Sequence, residues 1–376
     1  MNPTHDALDV LVIGAGQAGL ATAYHLQRHG LRFLVVDAAP AIGHAWRSRW
    51  DSLRLFSPAQ YDGLPGLAFP APADTYPTKD EVADYLETYA TRFDLPVLLG
   101  CAVRRLERVD GRFAVHTSQG TLMAHQVVVA TGPFQTPALP AVDLPAHITQ
   151  LHSAAYRTPA DLPPGPVLVV GAGNSGRQIA LELAATHDVT LAIGTEPLQL
   201  PQRILGRDLF WWLTRLGVLT KTSDSLLARR MRARGDLVIG TPVRDLRRAG
   251  VRLRPRLAGP ATDGVRFEDG SRACPTTVVW ATGFRTDYAW IDVPGVVTDG
   301  RVFHRRGLSA VPGLAFVGLP WQHTRGSALL GFVGHDAAWL AEQLAAAAPR
   351  RRASTTGQSS TGGAMSSSSS SHSSSK

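Results

Sequence analysis

Residues 8–37, with the sequence LDVLVIGAGQAGLATAYHLQRHGLRFLVVD, decide the fold of this chain. The apolar run at 8–13 is typical of a buried parallel strand. A glycine-rich turn follows, then a predicted helix over 18–28, and then a second strand over 31–36 that ends at Asp37. This order of elements predicts one βαβ unit of a mononucleotide-binding fold.

The turn between the first strand and the helix has the spacing G-x-G-x-x-G. Gly14 permits the tight turn, Gly16 lets backbone N–H groups approach a pyrophosphate, and Gly19 lets the helix pack closely on the strand. The helix N-terminus carries a partial positive charge that favours phosphate. Asp37 stands at the strand end, where a carboxylate accepts hydrogen bonds from ribose hydroxyls. The motif therefore predicts a dinucleotide site.

A second unit of the same kind occupies residues 166–194, PVLVVGAGNSGRQIALELAATHDVTLAIG, with its helix predicted over 177–186. The position equivalent to Asp37 is Gly194. Because no carboxylate stands there to repel a 2′-phosphate, the second unit favours NADP, with NAD as the alternative. The candidates for the positive charge on that phosphate are Arg177, Arg203 and Arg207, unless these arginines only cover the surface.

Two dinucleotide sites in one chain suit a flavin held as prosthetic group and a nicotinamide that brings hydride. Two further apolar strands each end in Ala-Thr-Gly, at 130–132 and 281–283. Small residues suit a backbone that crosses close to a ligand, and close packing at a strand end is the alternative explanation. The predicted fold class is α/β, with two dinucleotide-binding Rossmann-like domains and the NAD(P) domain inserted into the FAD domain.

The domain boundaries follow from this internal repeat. We predict an FAD-binding domain at 1–150, an NAD(P)-binding domain at 151–280 and a return of the FAD-binding domain at 281–348. The segment 349–376 is basic and then rich in serine, so we predict a disordered tail.

Composition excludes several classes of protein. The chain has 376 residues, of which 44% are apolar, so a sizeable core can form. Its two cysteines, Cys101 and Cys274, form no C-x-x-C motif, which argues against zinc ribbons and dithiol redox sites, and no metal site is predicted. No signal peptide and no apolar run of about 18 residues is present, so we expect a cytoplasmic protein without a membrane span.

Positive charge is concentrated in one part of the chain. The net charge is +8, yet residues 203–256 hold 14 basic and 4 acidic residues, a net of +10. Such a segment could face nucleic acid or a membrane surface, but it lacks the regularly interleaved aromatic residues of a base-stacking platform. We predict solvated arginines that attract an anionic cofactor, and no nucleic-acid partner.

A resemblance to a known family rests on motifs spread over roughly residues 8–345. They are, in chain order, Gly14 to Gly19, Gly43-x-x-Trp46-Arg47, Arg49 to Leu53, Tyr76 to Glu81, Ala130 to Gly132, His152-Ser153-x-x-Tyr156, Gly171 to Gly176, Ala281 to Phe284 and Trp321-Gln322-x-x-Arg325-Gly326-Ser327. As an ordered set they resemble the flavin-containing monooxygenase-like flavoproteins. That group includes N-oxygenating monooxygenases, Baeyer–Villiger enzymes and a bacterial branch often labelled as flavoproteins involved in K⁺ transport.

The resemblance implies a mechanism and further site residues. NADPH would reduce FAD, and a C4a-(hydro)peroxyflavin formed with O₂ would oxygenate a small N-, S- or ketone-containing substrate. No catalytic side chain is identified beyond the flavin, and the candidates are Trp46, His152 and Trp321. Together the motifs and the resemblance predict the cofactor-binding residues Gly14, Gly16, Gln17, Ala18, Gly19, Asp37, Trp46, Arg47, Val103, Thr131, Gly132, Gly171, Gly173, Asn174, Ser175, Gly176, Arg203, Thr282, Gly283 and Gln322.

Two departures from the family pattern keep other functions open. The oxygenase fingerprint Phe-x-Gly-x-x-x-His-x-x-x-(Phe/Tyr) is met by His152 and Tyr156, but Ala146 and Ile148 replace its Phe and Gly. An NAD(P)H oxidase or reductase without oxygen transfer is one alternative. The other is a non-catalytic regulatory flavoprotein linked to ion transport. The expected partners are a small-molecule substrate, O₂ and, as an option, a second copy of the chain.

Overall fold

The structure, a computed structural model, describes residues 7–233 and 237–348. The predicted serine-rich tail at 349–376 lies outside the described residues. Strands and helices are numbered below along the chain.

The larger sheet carries the first βαβ unit. The parallel strands β1, β2 and β3 lie at one side, and the antiparallel strands β4 to β6 extend the sheet on the other. Within the described residues its strands are β1 (Leu8–Ile13), β2 (Phe33–Val36), β3 (Val97–Leu98), β4 (Val103–Val109), β5 (Arg112–Thr117), β6 (Gly120–Val129), β21 (Ile291–Asp292), β24 (His304–Arg305), β25 (Leu308–Ser309) and β26 (Leu314–Phe316).

The smaller sheet carries the second βαβ unit and is parallel throughout, in the order β15-β10-β9-β19-β8. Its strands are β8 (Thr149–His152), β9 (Val167–Val170), β10 (Val189–Ala192), β15 (Arg252–Arg254) and β19 (Thr277–Trp280). Strand β8 spans the predicted domain boundary at residue 150 and pairs only within this sheet, so the second sheet begins slightly before that boundary.

Short strand pairs connect and cover the two sheets. The pair β7–β20 lies on the two crossings between the sheets, and the pairs β11–β14 and β12–β13 belong to the segment between β10 and β15. Their bounds are β7 (Thr136–Pro137), β11 (Gln199–Leu200), β12 (Arg203–Ile204), β13 (Arg207–Asp208), β14 (Val238–Ile239), β16 (Leu257–Ala261), β17 (Gly264–Phe267), β18 (Arg272–Ala273), β20 (Phe284–Arg285), β22 (Val297–Thr298) and β23 (Arg301–Val302).

Helices cover both sheets. They are α1 (Gln17–Arg28), α2 (His44–Arg47), α3 (Lys79–Arg92), α4 (Asn174–Leu183), α5 (Leu209–Arg215), α6 (Leu226–Ala233), α7 (Val243–Arg248) and α8 (Gly334–Ala347), with short 3₁₀ turns at Ala59–Tyr61, Pro159–Asp161 and Arg325–Ala328. Helices α1, α3 and α8 pack their apolar faces on the larger sheet and enclose its main core. Helix α3 begins at a capping box between Thr78 and Glu81.

The predicted strand at 8–13 is confirmed, and the two helices that follow the glycine turns begin earlier than predicted. Helix α1 starts at Gln17 instead of residue 18, and α4 starts at Asn174 instead of residue 177. In both cases the second glycine of the turn is the extended N-cap, with φ of −77° at Gly16 and −71° at Gly173. The first helical N–H groups therefore lie inside the glycine motif, where they can meet a phosphate.

Candidate active site: two glycine-rich turns

The first glycine turn leaves no room for side chains at its outer glycines. Gly14 has φ +111°, and an ideal Cβ there would lie 2.5 Å from the carbonyl oxygen of Ala130. A Cβ on Gly19 would overlap the carbonyl oxygen of Gly14. At Gly16, in contrast, a Cβ would meet nothing within 4 Å. The turn is thus closed against the protein and open on the side where a pyrophosphate would approach.

Asp37 closes the first turn at the end of β2. Its Oδ2 accepts a hydrogen bond from the N–H of Ala15 at 2.6 Å, and its Oδ1 accepts one from Ala39 at 2.8 Å. The carboxylate is therefore held by backbone donors beside the glycines, as a ribose-binding acid needs to be. Helix α1 itself has no acidic residue in its first turn, so Asp37 is the carboxylate that stands beside these glycines.

The second glycine turn repeats this geometry. Gly171 has φ +110°, its Cβ would overlap the carbonyl oxygen of Ala281, and a Cβ on Gly176 would overlap the carbonyl oxygen of Gly171. Gly173 again faces open space. Ala130 and Ala281, the first residues of the two Ala-Thr-Gly segments, therefore pack directly against the first glycine of each turn, which is the close packing at a strand end given above as the alternative explanation.

The end of β10 differs from the end of β2. At Gly194 the nearest group is the guanidinium of Arg256, whose Cζ lies 3.1 Å from an ideal Cβ position. The Arg256 Nη2 also lies 3.3 Å from Thr195 Oγ1, and its Nε lies 3.3 Å from Glu268. A guanidinium and a hydroxyl thus stand where the first unit has a carboxylate. Sequence reasoning missed Arg256, although it follows β15, the strand that pairs with β10.

The suggestion that Arg177 contacts a 2′-phosphate is wrong. Its side chain is fully buried, with Nε donating to Ala172 O at 2.9 Å and Nη1 to Thr241 O at 3.3 Å. Burial lowers the pKa of this guanidinium. Asn174 also faces inward, since its amide donates to Leu237 O and accepts from the Ile239 N–H, both at 3.0 Å. Ser175 is half-buried at the start of α4.

Comparison with known proteins agrees with this two-turn geometry. Residues 11–205 match the family model described as pyridine nucleotide-disulphide oxidoreductase. An oxidoreductase described as CzcO-like from Geobacillus kaustophilus is 44% identical over 90% of this chain and 98% of its own length. A flavin-containing monooxygenase from Stenotrophomonas maltophilia is 32% identical, with a TM-score of 0.78 over 91% of this chain and 99% of its own.

The chain belongs to the pyridine nucleotide-disulphide oxidoreductase family, in its flavin monooxygenase-like group. A probable indole-3-pyruvate monooxygenase of Arabidopsis thaliana, YUCCA9, is 30% identical over 80% of each chain. This flavin monooxygenase-like protein is an FAD-dependent, NADPH-using oxidoreductase of the monooxygenase type.

The disulphide in the family's description has no counterpart among the cysteines of this flavin monooxygenase-like protein. Cys101 is buried in the core beneath the larger sheet, and Cys274 is exposed beside the smaller one. Both are free thiols. Electron transfer through a dithiol of this chain is therefore excluded.

The fingerprint histidine lies between the two sheets. His152 is buried, and its Nδ1 accepts a hydrogen bond from the Ala154 N–H at 3.1 Å, which leaves Nε2 to donate to Gly283 O at 2.9 Å. Burial lowers the pKa of His152, and the nearby Arg49 lowers it further. The ring meets Phe284 edge-on at 5.0 Å. This arrangement suits a neutral histidine that fixes the crossing at Gly283.

The residues predicted beside the flavin are held by neighbours within the larger sheet's domain. Trp46 is half-buried, and its Nε1 lies 3.4 Å from Gln17 Oε1, so it contacts the start of α1. Arg47 is ion-paired with Asp84 and Glu87 on α3. The Arg47 guanidinium therefore anchors α2 to α3, and Trp46 is the one of the pair that adjoins the glycine turn.

The loop after β26 contains the remaining predicted contacts. Trp321 has φ +59°, and the Arg325 guanidinium lies 5.7 Å from its ring centroid. Gln322 is buried, with Oε1 accepting from Leu319 N–H at 3.3 Å and Nε2 left without a partner. The unpaired Nε2 is thus an available donor in the loop where the resemblance places a cofactor contact at Gln322. Val103, at the start of β4, packs on the core around Cys101.

The two threonines of the Ala-Thr-Gly crossings are both hydrogen-bonded. Thr131 Oγ1 accepts from Gln135 at 2.9 Å, and Thr282 Oγ1 donates to Ala138 O at 2.5 Å. Gly132 and Gly283 have φ of +69° and +81°. The side chains thus hold the two crossings in place, and the glycines turn the backbone directly after them.

Arg203 points toward the larger sheet's domain instead of toward Gly194. Its guanidinium lies 4.0 Å from Asp74. Helix α5 follows, and its Phe210 is buried among rings of the larger sheet's domain, with centroids 6.1 Å from Phe56, 6.0 Å from Tyr61 and 6.4 Å from Phe332. This aromatic cluster packs the segment between β10 and β15 against the larger sheet's domain.

A buried carboxyl group that sequence reasoning missed lies beside the aromatic cluster. Asp62 Oδ1 accepts from Ser57 Oγ at 2.6 Å, and its Oδ2 has no partner. Burial raises the pKa of Asp62 to about 7, although the Ser57 bond opposes this. Asp62 adjoins Gly331, where a Cβ would come within 3.0 Å of the Asp62 Cα. No sequence signal distinguishes this aspartate from a surface one.

Among the described residues, no helix is long and apolar enough to cross a membrane. No group of three His, Cys, Asp or Glu side chains within the same part of the chain could hold a metal ion.

Proposed function

We propose that the first turn holds FAD, that the second turn holds NADPH, and that the chain oxygenates a small apolar substrate between them. The observation that carries this proposal is the contrast at two equivalent strand ends. A carboxylate anchored by Ala15 suits the ribose of FAD, and a guanidinium at Gly194 suits a 2′-phosphate. The domain boundaries at 1–150, 151–280 and 281–348 are part of the same proposal.

The residues present fit both dinucleotides. The open space in front of Gly16 and Gly173 admits a pyrophosphate, and the N-termini of α1 and α4 direct N–H groups into it. Asp37 would accept from ribose hydroxyls of FAD. Arg256 and Thr195 would donate to the 2′-phosphate of NADPH, with Glu268 holding the guanidinium in place.

Bound FAD supplies hydride acceptance and activation of O₂. The protein would hold and orient the cofactors and the substrate, and it would exclude water from them. The aromatic cluster of Phe56, Tyr61, Phe210 and Phe332 lies where the two domains meet, and its apolar surface would help to exclude water from the reacting region. His152, neutral and bonded to Gly283 O, would hold the crossing between the domains at one angle.

The cavity beside this cluster supports a small substrate. It has a volume of about 240 Å³ and lies where Leu219 and Thr220 meet Phe332 at the start of α8. That volume is below the roughly 300–1,000 Å³ typical of drug-sized ligand sites. Its lining also includes the charged and polar side chains of Arg306, His323, Thr324, His335 and Asp336. A compact amine, thioether or ketone that joins an apolar body to one polar group matches this size and lining, and the indole-3-pyruvate named for the plant relative likewise joins an aromatic ring to polar groups.

The test is the fate of oxygen during NADPH oxidation. The FAD-loaded protein is supplied with NADPH and ¹⁸O₂ together with thioethers, amines or ketones. We expect one class to raise NADPH consumption, to suppress H₂O₂ release and to carry ¹⁸O into product. Release of one H₂O₂ per NADPH with every substrate would instead establish the oxidase.

Two rival functions have their own signatures. The NADPH oxidase is favoured by Ala146 and Ile148, because Ile148 fills a buried apolar site where the oxygenase fingerprint has glycine. The regulatory flavoprotein would bind FAD tightly and show no bleaching with NADPH. We further propose that the enzyme works in the cytoplasm with a small-molecule substrate and O₂, without nucleic acid, and that any oligomer joins copies of this chain.

A further inference from the structure

The hairpin β12–β13 has an unusual residue at its tip. Arg203 pairs with Asp208 and Ile204 pairs with Arg207, so Leu205 and Gly206 form a two-residue turn. Both have positive φ, +51° and +76°, which is the type I′ arrangement that favours Asn-Gly. Leucine at the first position is strained there, because its Cβ crowds the backbone in the left-handed conformation. Its side chain is also 87% exposed, so no packing offsets that strain.

The surface around Leu205 combines apolar and cationic side chains. Trp212 Nε1 donates to Ile204 O at 3.0 Å, which fixes α5 against the hairpin, and the Arg207 guanidinium lies 5.5 Å from the Trp211 ring centroid. Arg215 is one helical turn from Trp211, and Leu216 follows with 64% exposure. We call this the Leu205 surface, formed by Leu205, Arg207, Trp211, Trp212, Arg215 and Leu216.

The charge of this surface is positive without local compensation. Between residues 203 and 221, all within the described part of the chain, Asp208 is the one acidic residue and is buried. Its Oδ1 accepts from the Phe210 N–H at 2.7 Å as the N-cap of α5, and its Oδ2 accepts from Tyr76 at 2.7 Å. Arg207 and Arg215 therefore present their charge to the solvent beside exposed leucines.

We propose that the Leu205 surface binds peripherally to the surface of an anionic lipid membrane. Leu205 and Leu216 would enter the boundary between headgroups and acyl chains, and the tryptophan rings would lie at headgroup level. Arg207 and Arg215 would contact lipid phosphates, with their apolar stems along the tryptophans. A strained, exposed leucine flanked by cations matches this occupant better than it matches a protein partner, whose interface would need an acidic complement. The proposal does not depend on the substrate.

The experiment is co-sedimentation of the FAD-loaded full chain with vesicles of phosphatidylcholine, with and without phosphatidylglycerol. We expect binding to the anionic vesicles that weakens with salt. The variant Leu205→Asn keeps the hairpin, because asparagine favours the left-handed conformation, and it should lose most of the binding. The double variant R207Q/R215Q should weaken binding about fivefold per arginine removed.

The matched control is Leu139→Asn, which changes another solvent-exposed leucine, 53% exposed, on the connector between the sheets. It should bind vesicles as the wild type does. Equal sedimentation with both kinds of vesicle, or full binding by Leu205→Asn, would overturn the proposal. So would a wild-type dimer in solution that Leu205→Asn converts to a monomer, since the occupant would then be a second copy of the chain.

Discussion

The two glycine turns of this chain have nearly the same backbone and different surroundings. The first glycines, Gly14 and Gly171, have φ of +111° and +110°, and each lies against the carbonyl of an Ala-Thr-Gly crossing. The residue after the third glycine is buried in both units, yet it is Leu20 in the first and Arg177 in the second. Glycine spacing therefore fixes the backbone of each turn, and the neighbouring elements make the difference on which our assignment of FAD and NADPH rests.

The neighbours differ because the second unit has a long segment folded over it. Arg177 and Asn174 are hydrogen-bonded to Thr241, Leu237 and Ile239, which belong to the segment between β10 and β15. In the first unit, α1 packs on α8 and α3 mainly through apolar side chains, and Gln27 donates to Phe93 O at the end of α3. The second turn is therefore tied to a covering segment by side-chain hydrogen bonds, whereas the first turn is tied to the end of β2 by the Asp37 carboxylate and lies against an apolar core.

The largest expected effect comes from placing a carboxylate in each cradle. Gly16→Asp should abolish FAD binding, weakening it more than about 100-fold, because the new charge occupies the pyrophosphate position. Gly173→Asp should leave FAD bound and prevent reduction by NADPH. Flavin absorbance per protein and anaerobic bleaching by NADPH measure the two effects. A yellow Gly16→Asp protein, or a colourless Gly173→Asp protein, would reverse our assignment of the two turns.

Arg256→Ala tests the contrast between Asp37 and Gly194. Loss of one charge-assisted contact, roughly 1.5–3 kcal/mol, should raise the KM for NADPH about tenfold or more and leave that for NADH nearly unchanged. Arg203→Ala, measured in the same assay, tests the arginine that the sequence suggested as a contact of the 2′-phosphate. Arg252→Ala is the matched control, because Arg252 lies on β15 and is ion-paired with Asp188. If Arg203→Ala raises the KM for NADPH selectively and Arg256→Ala does not, Arg256 does not bind the 2′-phosphate.

Arg177→Leu makes the second unit resemble the first. The carbonyls of Ala172 and Thr241 would lose their donors, so the free energy of unfolding should fall by about 1–3 kcal/mol. A thermal melt of the FAD-loaded protein measures the change, and Arg177→Lys provides a variant that keeps the charge without the guanidinium fork. Unchanged stability in Arg177→Leu would mean that burying the guanidinium costs as much as its hydrogen bonds contribute.

The smallest expected effect is the pH dependence of stability that comes from His152 at the crossing beside Gly283. The pKa of His152 is lowered below its ordinary 6.5 by burial, so the unfolded state binds the proton first. Stability from neutral His152 is therefore present above pH 6.5 and is lost as the pH falls through the lower folded value. As the pH falls through this range, the free energy of unfolding of the wild type should decrease relative to that of His152→Gln by less than about 1.4 kcal/mol. Denaturant unfolding at several pH values checks this, and parallel curves would show that His152 does not titrate.

The sequence by itself determined the two βαβ units, their glycine turns and Asp37, because these depend on local spacing and on the steric demands of glycine. The family follows from the same motifs in order. Tertiary structure decided the rest. It buried Arg177 and turned Arg203 toward Asp74, and it brought Arg256, which follows the neighbouring strand β15, to Gly194. Parallel pairing sets such neighbours, and no local pattern records which strand will pair with which.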